Sequence, residues 1–505
     1  MKTLRIVCRN SRLSLVQATL AKQYFEHAEP SLQVDIITKE TTGDIIRDKP
    51  LYELEGRNFF SKEIDDYLLS GNADFAIHSM KDLNAERIED LRFCGAVLER
   101  NDPRDIVIFN ATILEKIRNK QTITIGTSSL RRQHQAIPFL KRALPAFDAS
   151  VPTLRAKTIR GNVDSRLRQL KNNDFDGIII ASAGLNRLLN STENSDLIQS
   201  YLADTKHFFL PLVECAPAPA QGALLAECVV TNIAAVEILK KVNNIKLANE
   251  LAQERNAVRA YGGGCHQEYG AILISTKHGS VINIAGIDTA GNDVSTMQFD
   301  LQVDLAHKTL FSATDFMADF FSYKPVNEVF AINTDAVFVS HERAVNEALI
   351  SIIATKNVWA AGTRTWFKLA EKGIWCNGCA DGFGFRFLAP VFQSDFVKTE
   401  IEKVWILTNL QSARHWQAEG LNALGTYQLV PKLSTEIIDR LSKAQAFFWT
   451  SFQQYETCLP YVLKQDAIHL CPSGKTADLL LAQGLKPFIF PSIKAFTIWR
   501  NKNIL

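Results

Sequence analysis

Thr122-Ile123-Thr124-Ile125-Gly126-Thr127-Ser128-Ser129-Leu130-Arg131-Arg132 runs from a β-branched stretch straight into a cluster of hydroxyls. The first four residues predict a strand, and the hydroxyls after it predict the cap of a helix. A strand that turns directly into a helix is the repeating unit of α/β layers, and the first N–H groups of such a helix are a ready place for an anion. Arg131 and Arg132 lie in the first helical turn, where the helix dipole disfavours cations. An anion bound at the same place removes that conflict.

The same alternation extends in both directions. Upstream, Leu4–Cys8, Val34–Ile37 and Phe75–Ile77 read as strands. A helix over Leu13–Phe25 puts Leu13, Val16, Leu20 and Tyr24 on one face, and a second helix runs from about Phe60 to Leu69. After the turn-like Asp102-Pro103-Arg104-Asp105, strand Ile106–Phe109 restarts the pattern, and Gly177–Ile180 leads into an Ala183-Gly184 turn. Two similar α/β halves imply a cleft between them, where ligands usually bind. A helical stretch over Ile238–Arg259, strands Ala271–Ser275 and Val281–Ala285 and a helix ending near Tyr323 make a small α+β unit. From about Asn327 strands and helices alternate again, starting with Ala336–Val339 and Val358–Ala361.

Composition narrows the function. At 505 residues the chain exceeds one core, and its charged content of 22% is that of a soluble globular protein. A net charge of +2 argues against wholesale nucleic-acid or membrane binding, so anionic ligands must be held by local clusters. No apolar run approaches the ~18 residues of a membrane span. The start, Met1-Lys2-Thr3-Leu4, lacks a signal-peptide core, which points to the cytoplasm. Nine scattered cysteines read as reduced thiols, with one CxxC pair, Cys376 and Cys379, following Trp375. No spacing suggests a metal site.

The residues that carry chemistry cluster at predicted strand ends. Arg160-Gly161-Asn162-Val163-Asp164-Ser165-Arg166 repeats the helix-start scheme, Arg187 follows the next strand, and Arg9, Ser11 and Gln17 come off the first. Arginines converging on one cleft suit a ligand with several carboxylates, which guanidinium groups grip bidentately. His78-Ser79-Met80-Lys81-Asp82 places a carboxylate at the same mouth, able to stabilise a developing cation. Gly262-Gly263-Gly264-Cys265 sets a thiol on a sharp turn open to something bulky, a position for attachment. Its neighbour His266 does not make a dyad with it, since sequence neighbours seldom face each other.

These motifs, with Arg9-Asn10-Ser11, Thr42-Gly43-Asp44, Asp102–Asp105 and Gln221-Gly222-Ala223, resemble in order and spacing the porphobilinogen deaminases, also called hydroxymethylbilane synthases. The resemblance covers about the first 325 residues. It implies two domains of the type-II periplasmic-binding-protein kind, 1–103 with 206–229 and 104–205, and an α+β domain, 230–325. It implies that Cys265 holds a dipyrromethane by a thioether, extended by porphobilinogen units to a hexapyrrole whose distal four rings leave as hydroxymethylbilane. It further implies Asp82 and Lys81 as catalytic residues. Ser79, Lys81, Asp82, Thr127, Ser128, Ser129, Arg131, Arg132, Arg160 and Gly161 would hold the cofactor, and Arg9, Ser11, Gln17, Arg160, Arg166 and Arg187 the substrate. The only partner implied is that small molecule, and the deaminase part is expected to be monomeric.

Departures from the family pattern are few. Arg57-Asn58 stands for a common Lys-Gly, Asn84 for a proline, and Ala220 for a glycine. Gln133–Thr158 is longer than usual and reads as a surface insertion.

The region 327–505 resembles uroporphyrinogen-III synthase in Val337–Ser340, Ala361-Gly362-Thr363, Phe448–Ser451 and the turn Pro472–Ala477. That family's opening strand, its Thr-Arg-Pro-like turn and a Tyr after Val430 are not found. The implied activity is cyclisation of hydroxymethylbilane to uroporphyrinogen III, with a degenerate, inactive copy as the alternative. Two other classes stay open: a non-catalytic module binding carboxylate ligands, and a thiol oxidoreductase built on Cys376 and Cys379.

Overall fold

The computed structural model describes residues 2–41, 62–83, 90–147, 152–259, 261, 268–288, 290–316, 320–326, 332–464 and 466–504. They form two compact units, one of Met1–Leu273, Ile284–Ser295 and Ser394–Lys398, the other of Ile274–Asn283, Thr296–Gln393 and Thr399–Leu505. Among the described residues no helix is long and apolar enough to cross a membrane.

The first unit has two lobes. Strands β1 (Lys2–Arg9), β2 (Leu32–Lys39), β3 (Phe75–Ser79) and β4 (Phe93–Arg100) belong to one sheet, β5 (Asp105–Phe109), β6 (Ile123–Gly126), β7 (Leu154–Lys157), β8 (Gly177–Ala181) and β9 (Lys206–Phe209) to another, and β10 (Ala223–Val229) returns to the first. The orders are β2-β1-β3-β10-β4 and β7-β6-β8-β5-β9. Each sheet holds a parallel trio, β2-β1-β3 and β7-β6-β8, extended by antiparallel strands. The chain therefore crosses between lobes twice, after β4 and after β9.

Periodicity explains the packing. In the first lobe Leu4, Ile6 and Cys8 alternate inward from β1 onto Ala18, Ala21 and Phe25 of the helix Arg12–Ala28. Phe25 and Phe75 meet with ring centroids 4.4 Å apart. In the second lobe β5 is buried at all five positions, as expected for an apolar strand covered on both faces.

Several expectations are corrected. The segment 206–229 does not belong whole to the first lobe, because β9 pairs with β5 in the second sheet. Ala183-Gly184 is no turn: both lie in the helix Ser182–Leu189, and a Cβ on Gly184 would stand 3.3 Å from Leu13 of the first lobe. The glycine serves close approach. The long helical stretch is two helices, Ile233–Val242 and Ile245–Arg259. Gln133–Thr158 is not wholly a surface insertion, since Gln135, Ala136, Phe139, Leu140 and Ala143 are buried in the helix Leu130–Ala143.

Strands β11 (Tyr269–Thr276), β12 (Gly279–Ile287) and β13 (Asp293–Gln298) form a three-stranded sheet. The second unit carries two further sheets. One is β15-β20-β19-β16-β17-β18, made of β15 (Phe321–Pro325), β16 (Ala336–Val339), β17 (Asn357–Ala360), β18 (Cys376–Cys379), β19 (Trp405–Asn409) and β20 (Ala423–Pro431). The other is β14-β21-β22-β23, from β14 (Leu310–Ser312), β21 (Ala446–Phe448), β22 (Ile468–Pro472) and β23 (Phe488–Phe490). Apart from antiparallel β15, the pairings are parallel.

The boundary expected between 325 and 327 is therefore too late. Strands β14 and β15 pair with β21 and β20, and Phe299, Leu301, Val303 and Leu305 pack on the same core as Phe448 and Phe496. The helix expected to end near Tyr323 is strand β15. Cys376 and Cys379 lie buried in β18, not at a helix start, and burial pushes the Cys376 thiol far up. A thiol held protonated is a poor nucleophile, which counts against the oxidoreductase reading.

Candidate active site

Between the two lobes of the first unit lies a cleft of about 470 Å³. The first lobe contributes Arg9 at the end of β1, Ser11 capping the following helix, Gln17 farther along that helix, Ser79 at the end of β3, and Lys81 and Asp82 in the turn after it. The second contributes Arg132, the segment Arg160–Arg166, and Arg187. Strand ends and helix starts supply most of these residues for the reason legible in sequence, that the parallel strands stop at one edge and the next helices begin there; Gln17 and Arg187 lie farther along their helices.

Local bonds fix the pieces. Ser11 caps its helix by accepting from the Ser14 N–H at 3.2 Å, and Gln17 Nε2 donates to Ser79 Oγ at 3.0 Å, tying the helix to the turn that carries Lys81 and Asp82. That turn, Met80–Asp82, is gripped from behind by Arg255, which donates to the carbonyls of Met80 at 3.2 Å and Leu83 at 2.8 Å. Asp82 is exposed to the cleft while Met80 is buried. Gly161 has φ +105°, and a Cβ there would meet Ser165 Oγ at 2.5 Å, so only glycine lets the chain turn between Arg160 and Arg166.

The arginine pair at the helix start finds its anion inside the protein. Asp105, the first residue of β5, accepts from Arg131 and Arg132, each at 2.7 Å, and its side chain is fully buried. Burial alone would raise its pKa; the two guanidinium groups override this and hold the carboxyl well below the usual carboxylate range. Gln221 joins the lobes at this hub: its Nε2 donates to Asp105 Oδ1 at 2.9 Å and to the Pro103 carbonyl at 2.7 Å, while its Oε1 accepts from Lys81 Nζ at 3.2 Å. Asp105 was not singled out in the sequence, where it looks like the end of a polar turn.

Other cations are held as firmly. Arg187 donates to Glu99 at 3.0 Å and to the Gly222 carbonyl at 2.8 Å. Arg166 Nε donates to the Gly161 carbonyl at 2.8 Å, and burial, with Arg132 and Arg160 nearby, pushes its pKa down to about 10. Burial also lowers Arg160 and Arg187. Half-buried Lys81 is pushed down to about 8, chiefly by burial, with Arg132 and Arg131 opposing the pull of Asp82 and Asp105.

Of the residues singled out in sequence, Arg9, Ser11, Gln17, Ser79, Lys81, Asp82, Arg132, Arg160, Gly161, Arg166 and Arg187 meet in this cleft. Arg131 does not line it; it is spent on Asp105 and the Ala216 carbonyl at 2.7 Å. Thr127 is buried, the Ser128 hydroxyl donates to the Ile159 carbonyl, and Ser129 caps the helix of Arg131 and Arg132. None of these four is among the residues that line the cleft. Cys265 and His266, with Thr42-Gly43-Asp44, Arg57-Asn58 and Asn84, lie outside the described residues. Ala220, in place of a glycine, has φ +61° and donates its N–H to Glu254 at 2.9 Å.

The fold and cleft define a two-lobed α/β protein with an arginine-lined groove between its lobes. The family model described as porphobilinogen deaminase, dipyromethane cofactor binding domain, matches residues 4–236. The porphobilinogen deaminase of Lachnospira eligens is 36% identical over 282 residues, 55% of this chain and 86% of that protein. That of Trichlorobacter lovleyi is 36% identical over 287 residues, 56% of this chain and 82% of that protein, and that of Campylobacter hominis 36% over 293 residues, 57% and 84%. The chain belongs to the porphobilinogen deaminase family. Its N-terminal half is a transferase of porphyrin biosynthesis with a dipyrromethane-binding domain.

Proposed function

We propose that the first unit joins four porphobilinogens head to tail, with loss of ammonia, on a dipyrromethane held by a thioether to Cys265. The carrying observation is that Asp82 and Lys81 share one cleft with Arg9, Arg132, Arg160, Arg166 and Arg187. The donor set fits the cofactor: each of its pyrroles bears an acetate and a propionate, and this wall is rich in guanidinium groups. Bound there, the cofactor supplies the free pyrrole α-carbon to which new units are joined.

The chain's own residues do the rest. Arg132, Arg160 and Lys81 hold the cofactor's carboxylates, with Ser79 and Gly161 beside them and Thr127, Ser128, Ser129 and Arg131 bracing the wall. Arg9, Arg166 and Arg187, with Ser11 and Gln17, orient the incoming substrate's acid groups. Asp82, exposed beside them, accepts hydrogen bonds from pyrrole N–H groups and offsets the positive charge that develops as the aminomethyl carbon loses its amine. Intact mass tests this directly: the purified protein should carry a bipyrrole adduct that is missing in Cys265→Ser. An unmodified parent chain would overturn the reading in favour of a carboxylate binder.

For the second unit we propose cyclisation of hydroxymethylbilane to uroporphyrinogen III. In support, hydroxyl-bearing turns follow β16 at Ser340, β17 at Thr363 and β21 at Thr450-Ser451, the carboxyl ends of parallel strands where α/β sheets bind ligands. Strand β14 gives the region an opening strand upstream of where sequence alone begins it. Porphobilinogen fed to the full chain should yield the III isomer; accumulation of the I isomer, formed without an enzyme, would mark the second unit as inactive. We assign the chain to a cytoplasmic enzyme with a monomeric deaminase part and no nucleic-acid or membrane partner.

A further inference from the structure

Two carboxylates line the cleft among its described residues, Asp82 and Asp164. Asp82 has a role in the reading above; Asp164 has none. It sits in the segment between Arg160 and Arg166, which that reading gives to the acid groups of cofactor and substrate. A bare carboxylate there would repel every pyrrole that enters.

Arg12 answers this charge. It is the first residue of the helix Arg12–Ala28, a position where the helix dipole disfavours a cation and where no acidic residue of the first turn compensates. Local stability gives no reason for an arginine there. Its guanidinium instead reaches the other lobe: Nε lies 3.6 Å from Asp164 Oδ2, and a terminal nitrogen donates to Asn194 Oδ1 at 3.0 Å. Asn194 is itself fixed, donating to Ser191 Oγ at 2.9 Å. The pair is partly exposed, Arg12 at 50% and Asp164 at 28%, so as a latch between lobes it adds little stability. Its effect falls on the potential at the cleft.

We propose that Arg12 is a positioning residue that neutralises Asp164, keeping the cleft attractive to the carboxylates of porphobilinogen and of the growing chain. The inference rests on the deaminase reading of the same cleft. Two explanations of the contact differ in sign. If Arg12 masks a charge, removing Arg12 harms binding and removing Asp164 does not. If the contact only clamps the lobes together, either removal harms alike.

The test compares R12A, D164N and the double variant R12A/D164N as full chains carrying the covalent adduct, checked by intact mass and far-UV circular dichroism. Steady-state turnover of porphobilinogen is then measured at low and high salt. For R12A, KM should rise roughly three- to tenfold at low salt with kcat little changed, since the loss is one of attraction before chemistry. The gap should shrink at high salt. D164N should have a KM equal to or below that of the parent, and the double variant should return to the parent's value. A KM for D164N raised as much as for R12A, or an R12A variant with the parent's KM, overturns the proposal. Absence of turnover in the parent chain would instead sink the deaminase reading, so the two failures are distinguishable.

Discussion

Replacing Asp105 by Asn tests the hub behind the cleft. The substitution preserves shape and leaves no cavity, so its effect is that of one charge. In the native protein that charge serves Arg131 and Arg132 at 2.7 Å each, with the Asp105 side chain fully buried and the arginine side chains 5% and 10% exposed. Without it the guanidinium groups keep only neutral acceptors, among them the carbonyls of Ala216 and Ile179. Breaking a buried pair by removing one partner costs about 3–5 kcal/mol. For a unit of this size, at about 2.1 cal/mol/K of unfolding entropy per residue, that corresponds to a fall in Tm of roughly 5–8 °C at neutral pH. Near-UV circular dichroism of the unfolding transition reads this out.

A pH series supplies the sign. The native carboxyl titrates far below its unfolded value of about 3.9, so its contribution is complete above that pH and is lost as pH falls through the native value. The gap between parent and Asp105→Asn should therefore close in acid. A variant within about 2 °C of the parent at pH 7, or a gap that stays constant down to the acid limit, refutes the assignment of Asp105 as the counterion of both arginines.

Two further outcomes follow from the cleft. Asp82→Glu should leave the fold intact and slow turnover by about 10²-fold or more, the usual scale for displacing a preorganised electrostatic group; normal turnover would refute its role. In the cofactor-free variant Cys265→Ser, Lys81, pushed down to about 8, should lose its charge as pH rises through that value, so binding of a polycarboxylate such as porphobilinogen should weaken above pH 8. In Lys81→Arg the inflection should vanish, and its persistence would assign the titration to another group.

The strand-to-helix turns were readable because their signals are local: β-branched runs end in hydroxyls, and Ser11 and Ser129 do cap the helices that follow. The arginines could be grouped at one cleft for the same reason. Which of them face the ligand could not, because that depends on a partner far along the chain. Arg131 and Arg132 look equivalent in sequence, yet Arg131 turns inward while Arg132 also reaches the cleft. The missed signal for Asp105 was an acidic residue heading a wholly apolar strand directly after Pro103-Arg104, a place where a charge must be paired if it is buried. The domain boundary failed for a related reason. Strand β14 has three residues and β15 ends in Lys324-Pro325, too short and irregular to show a period, and only pairing with β21 and β20 defines them.

The distribution of counterions explains how a cleft so rich in arginine can fold and still attract acids. Full pairing with carboxylates would stabilise the empty site and leave it nothing to offer. Here Arg131 and Arg132 share the single charge of Asp105, and Arg187 takes Glu99. Much of the remaining guanidinium surface goes to the backbone carbonyls of Ala216, Ile179, Gly222 and Gly161. A carbonyl satisfies an N–H without cancelling its charge. Hydrogen bonds can thus be met while positive potential persists, and burial sharpens it, since Arg166 and Lys81 are held in surroundings that disfavour their charged forms. An arriving carboxylate relieves that cost where it binds. On this account the same burial that depresses Lys81 and Arg166 drives ligand binding, and occupancy of the cleft by a polycarboxylate should raise both pKa values. A ligand-bound Lys81 that still titrates near 8 would break the link.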